Sequence, residues 1–297
     1  MSEIISKFFM TDFSKNRRRL AEIYQETIDI VNNGQYETTD GKIVVLGSDL
    51  EMRQNSRFYS KEFTVHDFPC KSTATEIDVV NNDSIDAGLA LKDEGYNPVV
   101  LNFANRRNAG GGVLNGARAQ EETIFRRTNL FRSLYQFMYY AESFNLQKNR
   151  HQYPMDPNFG GIYTPYATVF RASNYTLLNT PQKISFISVA AMNRPRLIDD
   201  MIASELIPET LNKIRTILRI GLYHGHDAIV LGAFGCGAFK NPPTHIALLF
   251  KQVINDLEFK HKFKRIVFAI IEDHNSFGAI NPTGNFQSFV EVFSGCK

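Results

Sequence analysis

The chain has 297 residues, enough for one large domain or two modest ones with a sizeable core. Apolar residues make up 43% and charged residues 22%, which excludes disordered, collagenous and coiled-coil classes. With 33 basic against 31 acidic side chains the net charge is +2, so no strong field draws the chain onto nucleic acid or a membrane. Cys70, Cys236 and Cys296 are few, scattered and without a Cys-x-x-Cys pair. Neither a disulfide framework nor a cysteine zinc site is expected. Charges at Glu3, Lys7, Asp12 and Lys15 break any signal-peptide pattern. The best apolar run, Ile266 to Ile271, falls far short of the roughly 18 residues of a membrane span. A soluble intracellular protein, cytoplasmic or nuclear and not secreted, is expected.

In chain order, residues 1–40 read as a helical extension. Leu20, Ile23, Tyr24, Thr27, Ile28 and Val31 recur at helical spacing, and Asn32-Asn33-Gly34 ends the run. Strands are expected at Ile43–Leu46, Ile77–Val80, Val99–Ala104, Ala167–Phe170, Ile184–Ala191, Ala228–Ala233 and Ile266–Ile271. Helices are expected at Ile85–Lys92, Glu121–Phe144, Leu211–Leu222 and Ile246–Leu257. Buried strands alternating with amphipathic helices indicate an α/β layer fold. No linker rich in Pro, Gly or Ser divides the chain, so residues 1–297 are read as one domain. Asn145–Pro165, polar and aromatic with three prolines, reads as a long loop walling or covering a site.

Two glycine loops stand out. The first follows the Val99–Ala104 strand and carries Gly110, Gly111, Gly112 and Gly116 before a helix opens near Gln120. The second, Phe234-Gly235-Cys236-Gly237-Ala238-Phe239, follows the Ala228–Ala233 strand and precedes another helix. Ligands bind past the carboxyl ends of strands in open α/β sheets, and helix N-termini attract anions. The second loop matches neither the dinucleotide fingerprint nor a P-loop, so a phosphate loop of another kind is the better fit. Together the loops suit a diphosphate and a sugar. The glycines are expected to allow close approach of ligand to backbone. On that reading a side chain at Gly111 or Gly235 harms ligand binding more than folding, unless the glycine also holds φ > 0, in which case both suffer.

Gln120-Glu121-Glu122 opens the helix after the first loop. Acidic residues in a first turn ordinarily complement the helix dipole. Placed beside a sugar-diphosphate loop, they also face a reactive end. Adjacent helical residues diverge by about 100°, so the two carboxylates do not flank one bond as a glycosidase pair does. One acting as acid and then base, with the other orienting a ribose hydroxyl, fits adjacency better. The neighbouring carboxylate and a bound diphosphate would raise the pKa that a general acid needs.

Gly110-Gly111-Gly112 followed by Gln120-Glu121-Glu122 resembles the signature of poly(ADP-ribose) glycohydrolases. Leu101–Ala104, Asn108-Ala109-Gly110, Gly116-Ala117, Tyr163-Thr164-Pro165, Leu231–Phe239 and Phe268-Ala269-Ile270 resemble the microbial, bacterial-type branch. The resemblance implies a macrodomain-like fold, a three-layer α/β/α arrangement with a mixed central sheet and an N-terminal helical extension. It implies hydrolysis of ribose–ribose O-glycosidic bonds. The substrate would be poly(ADP-ribose) or ADP-ribosylated protein and the product ADP-ribose. No cofactor, metal, membrane or sequence-specific nucleic acid is implied. Glu122 would be the catalytic acid/base, and Glu121 would hold the reacting ribose. Gly110, Gly111 and Gly112 would pack against diphosphate and ribose, with Asn108 bonded to that ribose and Gln120 within the binding set. Gly235, Cys236, Gly237 and Ala238 would wrap the diphosphate, with Phe239 against the sugar. Ala109 stands where the family usually has proline. A reader of ADP-ribose without turnover, and a hydrolase of single protein-linked ADP-ribose units, are the rival readings.

Asp83 is a candidate for the adenine amino group and equally for a helix N-cap before Ile85. Cys236 is expected to be there for size rather than reactivity. His224 and His226 are expected to serve a helix C-terminus. Arg17–Arg19, Arg106–Arg107 and Arg126–Arg127 are expected on solvated faces, with Arg106–Arg107 able to steer a polyanion.

Overall fold

A computed structural model describes residues 2–64, 68–70, 73–147, 152–272, 276–278 and 281–294, with side chains from residue 15 onward. Cys296 lies outside them. In chain order the helices are α1 (Ser2–Asn33), α2 (Leu50–Asn55), α3 (Ser84–Asp93), α4 (Gln120–Arg127), α5 (Leu130–Tyr135), α6 (Ile207–Tyr223), α7 (Pro243–Asn255) and α8 (Asn285–Phe293). The strands are β1 (Gln35–Glu37), β2 (Ile43–Val45), β3 (Arg57–Tyr59), β4 (Glu76–Val80), β5 (Pro98–Phe103), β6 (Gly161–Arg171), β7 (Leu177–Val189), β8 (Leu197–Ile198), β9 (Met201–Ile202), β10 (Ala228–Leu231) and β11 (Arg265–Ala269). No described helix is long and apolar enough to cross a membrane.

Seven strands form the central sheet in the order β3-β6-β7-β5-β10-β11-β4. β7, β5, β10, β11 and β4 run parallel to one another, whereas β6 is antiparallel to both β3 and β7. Alternation along the parallel strands feeds two cores. Val100, Val230 and Val267 pack with Tyr24 of α1, Ile85 of α3 and Phe125 of α4. Val99, Leu101, Ile229, Leu231 and Phe268 pack with Ile214 of α6, Phe250 of α7 and Phe289 of α8. The result is the expected layered fold with a mixed sheet at its centre.

Neighbouring strands β5 and β10 feed helices on opposite faces, since α4 belongs to the first core and α7 to the second. The chain therefore parts above these two strands, and a crevice opens beyond their carboxyl ends. Both glycine loops sit there.

Three expectations need correction. The helix read over Glu121–Phe144 is broken: Thr128 turns extended (φ −139°, ψ 169°) and bridges Val169, and its Oγ1 accepts the Leu130 amide in place of a helical carbonyl. The loop read over Asn145–Pro165 ends earlier, because β6 begins at Gly161; residues 148–151 lie outside those described. Pro165 is accommodated at a register shift between Thr164 and Ala167, where a proline costs no ladder bond. Finally, Arg126 and Arg127 are buried, at 0% and 1% exposure, not solvated.

Arg127 is satisfied by Asp83 and Asp86 at 2.5 Å each and by the Arg171 carbonyl at 3.1 Å. Asp83 is also the N-cap of α3, accepting the amides of Ile85 (2.8 Å) and Asp86 (3.2 Å). Asp83→Ala is therefore expected to cost about 2–4 kcal/mol, combining a lost cap with a half-stranded buried guanidinium. Asp83→Asn keeps the cap and should cost less than half of that. Urea unfolding of both variants measures the difference.

Candidate active site

The helix α4 starts without a side-chain cap: Ala119 occupies the N-cap position. Its first turn instead sends three side chains into the first glycine loop and the end of β5. Gln120 Oε1 accepts the Phe103 amide at 2.8 Å, and its Nε2 donates to the Leu101 carbonyl (2.7 Å) and to Ser84 Oγ (3.1 Å). Gln120 thus knots α4 to β5 and α3. Glu121 accepts the Asn105 amide on Oε2 at 2.8 Å and the Gly110 amide on Oε1 at 3.0 Å. Glu122 accepts the Gly112 amide on Oε1 at 2.9 Å. Its Oε2 is buried and has no hydrogen-bond partner among the described residues.

Both glutamates are buried, at 4% and 7% exposure. Burial, and then the neighbouring Glu122 carboxylate, push the Glu121 carboxyl up to about 8. The amides of Gly110 and Asn105 and the Asn102 side chain oppose that rise. The adjacent carboxylates diverge around the helix, yet both end on the same loop, which wraps over the helix start.

Gly111 and Gly235 both hold positive φ, the case in which a side chain is expected to harm folding as well. Gly111 has φ +54°, and a Cβ there would overlap Glu122 Oε1 and lie 3.3 Å from Glu121 Oε2. The protein's own carboxylates, not a ligand, demand glycine at this position. Gly235 has φ +77°, and its Cβ would lie 2.6 Å from both Ala191 Cβ and Asn241 Nδ2. Asn241 in turn donates to the carbonyls of Met192 (2.7 Å) and Gly235 (3.1 Å), pinning the second loop. Substitution at either glycine damages the fold directly.

Beside these carboxylates lies a cavity of about 450 Å³, within the range of nucleotide-sized sites. Asp83, Gln120, Gly235, Gly237, Ala238 and Phe239, candidates from the sequence, line it. Leu20 of α1, Phe103, Arg118, Thr123 and Tyr175 also line it and were not foreseen. Glu121, Glu122 and the triple glycine adjoin this wall without forming part of it. Asn108 does not line it either: it is exposed, its amide donates to Asn105 Oδ1 at 3.1 Å, and its carbonyl accepts the Gly111 amide at 3.0 Å. Asn105, missed in the sequence, shapes this turn from its side chain while its amide holds Glu121.

Cys236, within the second loop, is buried and off the cavity wall, and burial pushes its thiol up. Its contribution is size. His224 does not act as a charged partner of the α6 terminus. It stacks on Tyr163 with ring centroids 3.5 Å apart and bonds Tyr59 Oη at 2.8 Å. Burial, then His226 and Arg57, lower its pKa to about 4. No group of three metal-ligating side chains occurs among the described residues.

Residues 24–172 match the family model of the microbial-type PARG catalytic domain, half of the chain, with the Gln120-Glu121-Glu122 helix inside the match. The chain belongs to this family. A poly(ADP-ribose) glycohydrolase (PARG) from Thermomonospora curvata is 27% identical over 93% of this chain and 100% of that one, with a TM-score of 0.76. The same enzyme bound to the inhibitor ADP-HPD matches at 26% identity over 93% of this chain and 100% of that one, TM-score 0.75. A PARG from Deinococcus radiodurans in complex with ADP-ribose matches at 25% identity, over 86% of this chain and 100% of that one, TM-score 0.64. A search of curated proteins finds no match. The macrodomain-like fold expected of a microbial-type PARG is thus the fold of this chain.

Two outcomes are expected from this geometry. Gly235→Val should lower the melting temperature of the ligand-free protein by the equivalent of about 2–4 kcal/mol, from positive-φ strain plus overpacking. Differential scanning calorimetry without ligand measures it. The second concerns pH. The folded Glu121 carboxyl titrates near 8 while its unfolded value is the ordinary 4.5, so the folded state binds more protons between them. Stability conferred by the protonated group is complete below about 4.5 and lost as pH rises toward about 8. Glu121→Gln should flatten that decline, read as melting temperature against pH.

Proposed function

We propose that this protein is a poly(ADP-ribose) glycohydrolase that cleaves ribose–ribose O-glycosidic bonds and releases ADP-ribose. One observation carries the reading furthest: a buried carboxylate oxygen, Glu122 Oε2, without a partner among the described residues, beside a nucleotide-sized cavity at the carboxyl ends of β5 and β10. A purely ADP-ribose-binding domain has no use for that oxygen. Its relatives are described in complexes with ADP-ribose and with ADP-HPD, ligands of the class that such a cavity accepts.

The cavity would take the adenosine diphosphate. Asp83 stands at one part of its wall, and the second loop, Gly235 to Phe239, would face the diphosphate. The ribose bearing the scissile bond would reach the carboxylates past the α4 N-terminus. Burial and the neighbouring carboxylate keep a proton on Glu121 at neutral pH. Glu122 Oε2, which no N–H among the described residues reaches, is the oxygen placed to pass a proton to the leaving ribose oxygen. The C–O bond breaks through an oxocarbenium-like transition state, whose positive charge the diphosphate offsets. Glu122, now ionised, takes a proton from the attacking water. Glu121 keeps lone pairs for a ribose hydroxyl while its amide bonds hold the loop.

Residues 1–40 belong to this same catalytic unit in our reading, since Leu20 lines the cavity. Incubation with automodified poly(ADP-ribose) polymerase tests the activity. Free ADP-ribose with loss of long polymer supports it. Intact polymer refutes it, and removal of only the protein-linked unit would assign a mono-ADP-ribosyl hydrolase instead. Glu122→Gln should lower turnover by about 10²–10⁴-fold, the worth of general acid–base catalysis, while ADP-ribose affinity stays within about tenfold. Steady-state kinetics and calorimetric titration of that variant check the pair of values.

A further inference from the structure

Arg126 lies one helical turn beyond Glu122 on α4 and is fully buried. No carboxylate pairs with it in the salt bridges of the described residues. Two of its three nitrogens go to carbonyls: Nε donates to the Leu20 carbonyl of α1 at 2.9 Å and Nη2 to the Ala117 carbonyl, while Nη1 is buried without a partner among the described residues. Its own carbonyl accepts Thr27 Oγ1 of α1 at 2.7 Å, and its guanidinium lies 5.9 Å from the Tyr175 ring centre.

These contacts close a circuit. Glu122 Oε1 accepts the Gly112 amide (2.9 Å), the Gly112 carbonyl accepts the Ala117 amide (3.1 Å), and the Ala117 carbonyl accepts Arg126. From Arg126 one turn of α4 leads back to Glu122. Gly116, inside this circuit, has φ +68°, and a Cβ on it would overlap the Arg17 carbonyl of α1. The helix backbone therefore presses directly on the loop.

We propose that Arg126 is a positioning residue for Glu122. It closes the hydrogen-bonded circuit that fixes the Gly112 amide against the Glu122 carboxylate, and it anchors that circuit to α1. A neutral side chain of the same length would leave Ala117, and with it the Gly112 amide, free to shift. Oε1 would lose its fixed donor and the reactive Oε2 its aim. Arginine is required because a planar fork reaches two carbonyls at once, which a lysine does not. The proposal rests on the reading of Glu122 as the acid/base.

The test uses Arg126→Met and Arg126→Lys in the full chain. kcat and KM are measured on poly(ADP-ribose), the dissociation constant on ADP-ribose, and deuterium exchange over residues 108–117. Arg126→Met should lower kcat by about tenfold to hundredfold, as small misplacements of a catalytic group do. KM and ADP-ribose affinity should stay within about threefold, because the cavity wall is not removed. Exchange over 108–117 should accelerate, and Arg126→Lys should recover part of each effect. In a Glu122→Gln background Arg126→Met should cost nothing further, since the group it aims is gone. Unchanged kcat, an affinity loss equal to the kcat loss, or an undiminished cost in the Glu122→Gln background would each overturn the proposal. If Arg126→Met does not fold, Arg126→Lys decides by the same readouts. A fully active Glu122→Gln refutes the acid/base reading itself; an inactive one beside a fully active Arg126→Met refutes only the positioning role.

Discussion

The site depends on how two adjacent carboxylates meet one loop. Glu121 and Glu122 leave the helix in different directions, and the glycine loop bends around to offer each an amide. Three backbone N–H groups, those of Asn105, Gly110 and Gly112, face acids that burial would otherwise penalise. The same bonds fix the loop, so its conformation and the aim of the acids are one fact. Glycine at position 111 follows from this crowding: no Cβ fits between the two carboxylates.

The wider fold delivers these parts to one place. β5 and β10 lie side by side, and their following helices go to opposite faces of the sheet. The gap above them holds both loops. Gln120 keeps α4 in register with β5 through the Phe103 amide and the Leu101 carbonyl, while Asn241 holds the second loop closed. Asp83 does two jobs, capping α3 and pairing with Arg127, so the wall near it is tied to α4 as well. The cavity is bounded by groups already committed to the fold, which pre-organises it for a ligand.

The parallel strands were legible because burial on both faces leaves continuous apolar runs such as Val99–Leu101 and Ile266–Phe268. The three-residue strand β3 was not, since Arg57–Tyr59 is too short to show a period and gains its place only by pairing with β6. Thr128 broke an otherwise helical pattern because a tertiary bridge to Val169 outweighed local propensity. At the site, Glu121, Glu122, Gln120 and both loops could be read from spacing and resemblance. The carbonyls that Arg126 meets belong to Leu20 of α1 and to Ala117 at the far side of the loop, and nothing in Arg126-Arg127 signals them. Two arginines in a row look like a solvated face until the fold supplies carboxylates for one and carbonyls for the other. The glycines were rightly marked as special, but only coordinates show that the close neighbours belong to the chain itself.

The contact between α1 and the first loop is made to main-chain carbonyls, those of Arg17 and Leu20. Every residue type carries the same carbonyl, so evolutionary drift in the side chains at these two positions leaves those contacts standing. What the helix must preserve is its phase. Inserting or deleting one residue between this stretch and the buried Tyr24 and Ile28 would swing those carbonyls about 100° around the axis. Across relatives, this part of the chain should accordingly tolerate substitution far better than any change in length.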